Sequence, residues 1–238
     1  MTLPVRLKYT TSQAFEVGGV SSSYTIASIK VQNLAFAKDV QLHRNNGDGT
    51  WTDVPAKWVG TGQNYDVFSD NAPLTQEFAL RYIVNGATYW DNNDGANYQV
   101  PVFTNRVGGN VVLNRATARR GTEVGGGFVF TTSWVEGEIY VNNLSPSKQV
   151  GIRVSADGGS SWQDTDAAFS GPATDGTYAT TSGVEVWKFK TPELNLNPAS
   201  DVFLLAAYYH DLPSGQWFWD NDFDQNYVLS KADGAVLS

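Results

Sequence analysis

The sequence contains no cysteine and one methionine. Disulfides, thiol nucleophiles and Cys-ligated zinc are therefore ruled out, while the compartment stays open. Basic charge is scarce: 16 Lys and Arg stand against 24 Asp and Glu, a net charge of −8. Apart from Arg119-Arg120 there is no cluster that a polyanion would seek, so neither nucleic acid nor an anionic membrane surface is an expected partner. No apolar run approaches the roughly 18 residues of a membrane helix. Met1-Thr2-Leu3-Pro4 does not open a signal peptide. There are two histidines, His43 and His210. They occupy non-equivalent positions, and His43 lies on the polar phase of a strand pattern, which reads as hydrated surface rather than a base or ligand. GxSxG, HExxH and phosphate-loop motifs are all missing.

Aromatic residues are abundant, with 8 Trp, 11 Tyr and 12 Phe. A hydrophobic fraction of 41% with 17% charged residues can build packed cores. The chain is also written twice. Ile29-Lys30-Val31-Gln32-Asn33-Leu34 returns as Ile139-Tyr140-Val141-Asn142-Asn143-Leu144, and Lys38-Asp39-Val40 as Lys148-Gln149-Val150. The Gly-rich turn before Trp51 returns before Trp162, each Trp followed two places on by Asp53 or Asp164. Trp58 matches Phe169. The closing run Trp90-Asp91-Asn92-Asn93 to Asn97-Tyr98 parallels Trp219-Asp220-Asn221-Asp222 to Asn226-Tyr227. Order and spacing are kept, so the chain reads as two copies, 1–102 and 103–238, with Val107-Gly108-Gly109 as a short joint.

Within each copy, apolar residues alternate with polar ones: Val5, Leu7 and Tyr9; Val40 and Leu42; Phe78, Leu80, Tyr82 and Val84; Val150, Ile152 and Val154. Turn clusters such as Asn85-Gly86 and Asp157-Gly158-Gly159 separate them, and no stretch sustains a helical stripe. Many short strands with frequent turns predict an all-β chain of two tandem sandwiches.

Trp90-Asp91-Asn92-Asn93 follows a strand and sits among turn formers. A flat indole suits the C–H face of a pyranose, and Asn offers donors and an acceptor to vicinal hydroxyls. The alternative is structural: Asn and Asp close Asx-turns, and Trp90 plugs the end of the sandwich. The residues alone leave both readings standing. Asp91, Asn93 and Gly95 lack the spacing and terminal Glu of an EF-hand, and no metal or cofactor is expected. Carboxylates are plentiful, but a duplicated small sandwich is a poor frame for the deep cleft of a glycosidase, so no catalytic residue is expected.

The run Asn33-Leu34-Ala35-Phe36-Ala37-Lys38, then Trp51, Tyr82-Ile83-Val84-Asn85-Gly86 and the closing motif to Tyr98, resembles carbohydrate-binding module family 21. Residues 110–230 resemble it more loosely through Asn143, Lys148, Trp162 and the run Trp219 to Tyr227. The resemblance implies immunoglobulin-like sandwiches that bind α-glucan polysaccharide or malto-oligosaccharides without catalysis. It implies one site from Trp51, Trp90, Asn92 and Asn97, and its counterpart from Trp162, Trp219, Asn221 and Asn226. A further family aromatic falls on Ala79 and near Ala206, so each site lacks one expected face. A second family site maps to Phe36 and Trp58, but to Pro146 and Phe169 in the second copy, where it should be weak or lost. The implied setting is a larger secreted protein with a covalently linked amylase-type catalytic domain. The alternatives are a structural or protein-interaction pair, or a glycogen-targeting phosphatase regulatory subunit. The last needs an Arg/Lys-Val-x-Phe docking motif, and Lys30-Val31-Gln32-Asn33 and Arg153-Val154-Ser155-Ala156 both lack the final aromatic.

Overall fold

The computed structural model describes residues 3–70, 77–99, 105–173, 183–194 and 200–237. The chain is all-β, and its two compact units comprise Met1–Gly109 with Pro172–Val184, and Asn110–Gly171 with Glu185–Ser238. Each is an immunoglobulin-like sandwich of two sheets.

The first unit contains β1 (Val5–Val17), β2 (Val20–Gln32), β3 (Asp39–Asn45), β4 (Trp51–Pro55) and β5 (Lys57–Thr61). It continues with β6 (Tyr65–Asp70), β7 (Glu77–Val84), β8 (Ala87–Asp91), β9 (Tyr98–Gln99) and β10 (Arg106–Val107). One sheet runs β10-β1-β2-β6-β5, the other β4-β3-β7-β8 with β9 also on β7. The second unit begins with β11 (Val111–Gly125), β12 (Phe128–Asn142), β13 (Lys148–Ser155), β14 (Gln163–Asp166) and β15 (Ala168–Pro172). It ends with β16 (Val184–Lys190), β17 (Val202–Asp211), β18 (Gln216–Asp220), β19 (Tyr227–Ser230) and β20 (Val236–Leu237). Its sheets run β20-β11-β12-β16-β15 and β14-β13-β17-β18 with β19 on β17, the same topology strand for strand. The cut expected after residue 102 has first-unit strand beyond it, because Arg106 and Val107 pair with Thr10 and Tyr9 of β1.

The period of two puts one face of each sheet inward. In the first unit Val5, Leu7, Ile29 and Val31 meet Val40, Leu42, Phe78, Leu80 and Tyr82. Each such side chain contributes about 1.5–3 kcal/mol on burial. In the second unit Ile139, Val141, Val150, Ile152, Phe203, Leu205 and Tyr209 are likewise buried.

The same internal lock is built twice. A bulge between Leu7 and Tyr9 on β1 has its twin between Leu113 and Arg115 on β11. Beside it, the Leu7 amide donates to Asp91 Oδ2 at 2.9 Å, and Tyr98 Oη donates to the same oxygen at 2.7 Å. In the second unit Leu113 N and Tyr227 Oη both donate to Asp220 Oδ2 at 2.7 Å. The carboxylate thus ties the strand carrying the closing Trp to the opposite sheet. It also ties the start of the motif to its final Tyr, which explains the preserved Asp-to-Tyr spacing. Burial pushes the Asp91 carboxyl above its usual range, against the pull of the Tyr98 and Leu7 hydrogen bonds.

Candidate functional site

Alternation decides what the outer face of the β4-β3-β7-β8 sheet carries. Val40 and Leu42 point into the core, so Gln41, His43 and Asn45 point out. The pairings place side chains in rows: Trp51 beside Asn45; Asp53, His43 and Ala79 in the next; then Pro55, Gln41, Arg81 and Trp90. Trp51 and Trp90 remain 36% and 39% exposed. Trp90 therefore lies on the sheet face and does not plug the end of the sandwich.

His43 joins the two indoles. Its ring stacks on Trp51 at 4.9 Å and 10°, and meets Trp90 edge-on at 5.2 Å and 80°. It lies opposite Ala79, whose methyl leaves room for it. The ring missing at 79 is thus replaced from the neighbouring strand, and His43 is more than the hydrated surface residue expected. Asp53 fixes it, with His43 Nδ1 at 2.5 Å from one carboxylate oxygen and Arg81 Nη1 at 2.7 Å from the other. The Arg81 guanidinium lies 5.5 Å from the Trp90 ring centre.

The motif asparagines are engaged in the loop. Asn92 Oδ1 accepts from Gly95 N at 3.0 Å, and its carbonyl accepts from Asn97 N at 2.8 Å. Asn93, Asp94, Gly95 and Asn97 all have positive φ, a conformation in which Asn and Asp are enriched. Asn97 Nδ2 donates to Glu77 Oε1 at 2.8 Å, while Asn45 Nδ2 donates to Oε2 at 2.8 Å. These two bonds, that from Asn97 first, hold the Glu77 carboxyl below its usual range. In the second unit Asn221 Oδ1 accepts from Asp224 N at 3.2 Å, and Asn226 has φ 61. Asn92 and Asn221 thus brace their loops by accepting from a backbone amide three residues on, as the structural alternative supposed, and the Asn92 side chain remains exposed.

Phe36 is fully exposed and Trp58 60% exposed. Asp66 relates them: it accepts from Lys38 Nζ at 2.5 Å, on the loop bearing Phe36, and from the Trp58 side chain. In the second unit Lys148 Nζ bonds Glu185 at 2.9 Å in the same manner. Pro146 is exposed, and Phe169 meets Trp187 edge-on at 5.7 Å and 68°. Trp187 Nε1 donates to Glu185 Oε2 at 2.9 Å. An indole on β16 thus stands beside Phe169, a residue the sequence reading passed over.

The outer face of β14-β13-β17-β18 uses the same rows with different side chains. Arg153 takes the place of His43, between Asp164 and Ala206, and Tyr208 that of Arg81, opposite Trp219. Arg153 is bound to both oxygens of Asp164 at 2.7 and 2.8 Å and lies 4.9 Å from the Trp219 ring centre. Trp219 is 37% exposed and packs on Tyr208 at 5.5 Å. Trp162 is tied to its own turn by Nε1 donating to Gly159 O at 3.1 Å. It lines a cleft of about 450 Å³ with Asp157, Ser161, Gln163, Glu193 and Leu194. Among the described residues no ring contact joins Trp162 to Trp219. The sequence reading also passed over Trp217 and took His210 for hydrated surface. The alternation in Gln216-Trp217-Phe218-Trp219 already places Trp217 on the face of Trp219.

A model of the carbohydrate/starch-binding module (family 21) matches residues 5–101 and again residues 126–230. The chain belongs to carbohydrate/starch-binding module family 21. It is a carbohydrate-binding module in two copies. Among similar proteins, protein phosphatase 1 regulatory subunit 3B of Danio rerio is 40% identical over 89 residues, 32% of this chain and 30% of that protein. Glucoamylase 1 of Rhizopus oryzae is 35% identical over 80 residues, 30% of this chain and 13% of that enzyme. The chain thus spans about a third or less of the curated relatives it matches. A solved structure of the starch-binding domain of Rhizopus oryzae glucoamylase, in complex with β-cyclodextrin and maltoheptaose, is 31% identical. It covers 42% of this chain and 95% of that one with a TM-score of 0.33.

Proposed function

We propose that this family 21 chain is a non-catalytic α-glucan binder that holds starch, glycogen or malto-oligosaccharides on the outer faces of its two β4-type sheets. The carrying observation is the ring cluster Trp51–His43–Trp90: the two indoles are exposed, and the imidazole between them is held by Asp53, which Arg81 also binds. Indoles offer apolar faces to the sugar ring, and the flanking Gln41, Asn45 and Asn92 offer hydrogen bonds to its hydroxyls. Trp219 with Arg153 and Tyr208 is the corresponding surface of the second unit, with Trp162, Asn221 and Asn226 around it. Phe36 and Trp58 form a further contact on the first unit. We assign the pair the task of anchoring a larger exported protein with an amylase-type catalytic domain to its polysaccharide. Affinity electrophoresis through amylose, glycogen, β-glucan and inulin tests this: retardation by the first two alone is expected, and equal mobility in all four gels would refute it.

The phosphatase-subunit relatives favour a second reading, a glycogen-targeting subunit. Within these 238 residues the nearest approaches to its docking motif are Lys30-Val31 and Arg153-Val154. Lys30 is buried against the Tyr65 ring at 3.7 Å, and Arg153 is bound to Asp164. Both segments are internal strands with two neighbours, so neither is free as an extended peptide. Co-precipitation with the phosphatase catalytic subunit would reinstate that reading.

A further inference from the structure

We infer that the second unit carries an additional glucan subsite, built from Trp217 and His210, one row beyond Trp219 on the outer face of the β14-β13-β17-β18 sheet. The inference rests on the reading that Trp219 holds glucan, and it assigns the subsite to the next pyranose ring of the same chain.

Trp217 and Trp219 lie two residues apart on β18, so their side chains leave the same face of the sheet about 7 Å apart along the strand. Their rings are nearly parallel, 14° apart with centres 6.0 Å apart. Trp217 is 49% exposed, which rules out a core role. One face of its indole is backed by the His210 imidazole at 4.0 Å and 11°, across the β17–β18 pair. Tyr208 packs beneath both indoles, 5.8 Å from Trp217 and 5.5 Å from Trp219. Trp217 is thus held in place before any ligand arrives, and a held ring loses little side-chain entropy on binding.

The turn that follows is built to keep this end of the hairpin in register. Asp211 accepts from Ser145 Oγ and Ser214 Oγ, and its carbonyl accepts from Gly215 N at 2.8 Å. The exposed carboxylate of Asp166 borders this surface and can accept from a sugar hydroxyl. Asp166 Oδ1 receives Tyr208 Oη at 2.9 Å and Gln149 Nε2 at 2.8 Å in the adjoining strands. A neutral polymer with an apolar ring face and a hydroxyl rim fits a ring surface bordered in this way; continuity with Trp219 makes the occupant the same glucan. The first unit has no counterpart. Ile83 and Thr88 stand at the equivalent pair, and a tight Asn85-Gly86 turn closes the hairpin directly after Val84.

The test is calorimetric titration of the intact chain with maltotriose and maltoheptaose, with Trp51→Ala, Trp90→Ala, Phe36→Ala and Trp58→Ala silencing the first unit. Trp217→Ala should weaken maltoheptaose about 3- to 10-fold, the range of a single aromatic contact, and maltotriose less, so the ratio of the two affinities contracts. Trp217→Thr, the residue found at the equivalent first-unit position, should do the same should the alanine variant fold poorly. Trp219→Ala should weaken both sugars. Equal loss or no loss for both sugars with Trp217 changed, while Trp219→Ala still weakens them, would overturn the subsite and leave the underlying reading standing. Unchanged binding with Trp219→Ala would overturn both.

Discussion

The two units have one strand order, one bulge and one Asp–Tyr lock, yet their outer faces differ. In the first, a compact surface is closed by His43 between Trp51 and Trp90. In the second, Arg153 covers Trp219 from one side, and the aromatic surface runs on to Trp217 and His210. Duplication has kept what the fold needs, inward-facing residues whose loss would leave buried donors unpaired. It has changed outward residues that the fold does not constrain. Substitution of one outward residue is offset by its cross-strand neighbour, as Ala79 is by His43.

The largest expected effect breaks what the units share. Asp91→Ala and Asp220→Ala each strand a backbone N–H and a Tyr hydroxyl and should cost about 2–4 kcal/mol in urea unfolding. Destabilisation by one and not the other would mean the locks are not equivalent. Asn at either position keeps the accepting oxygen and should cost less. The Asp91 carboxyl is raised above its unfolded value of 3.8. The native state therefore holds that proton more tightly, and the stability this adds is greatest below pH 3.8 and is lost as pH rises through the folded pKa. Stability profiles of the parent and of Asp91→Asn should diverge in that window, the variant being flatter.

Next come the binding faces. Trp90→Ala or Trp219→Ala should cost about 1–3 kcal/mol of glucan affinity with folding intact, as single anchor residues do. His43→Ala tests the bridging ring and should weaken first-unit binding by about 0.5–1.5 kcal/mol, the worth of an aromatic contact. Arg153→Ala removes no ring, so the comparison of the two variants by maltoheptaose titration separates the aromatic contribution from loss of a side chain. The smallest effect is Phe36→Ala. A fully exposed side chain has no packing to lose, and melting should reveal a change within about 0.5 kcal/mol while binding falls.

Much of this was legible in the chain. Alternation in Phe78, Leu80, Tyr82 and Val84 announced a strand with one buried face, and the repeated Trp-Asp-Asn opening helped announce two copies of one domain. Phe36 and Trp58 were named through the family resemblance alone, and their exposure follows from a loop and an edge strand that the structure shows. Strand partnership was not legible: nothing local to His43 says that Trp51 lies across from Asn45 and Ala79 across from His43 itself. The closing asparagines were ambiguous for a physical reason, since the left-handed turns that need Asn and the sugar hydroxyls that attract it select the same residue. Val107 was read as part of the joint with Gly108 and Gly109 because the two-residue edge strand it shares with Arg106 is too short to show a period.

The central claim is that both outer faces hold the same polysaccharide, and depletion of the intact chain from solution by starch granules tests it most directly. Two engaged sites see each other at an effective concentration near the millimolar range, so losing either should cost up to about 10²-fold in apparent affinity. Trp90→Ala and Trp219→Ala should each lower granule binding steeply, and the double variant should lower it further than either. A double variant that is depleted as fully as the parent would contradict the account.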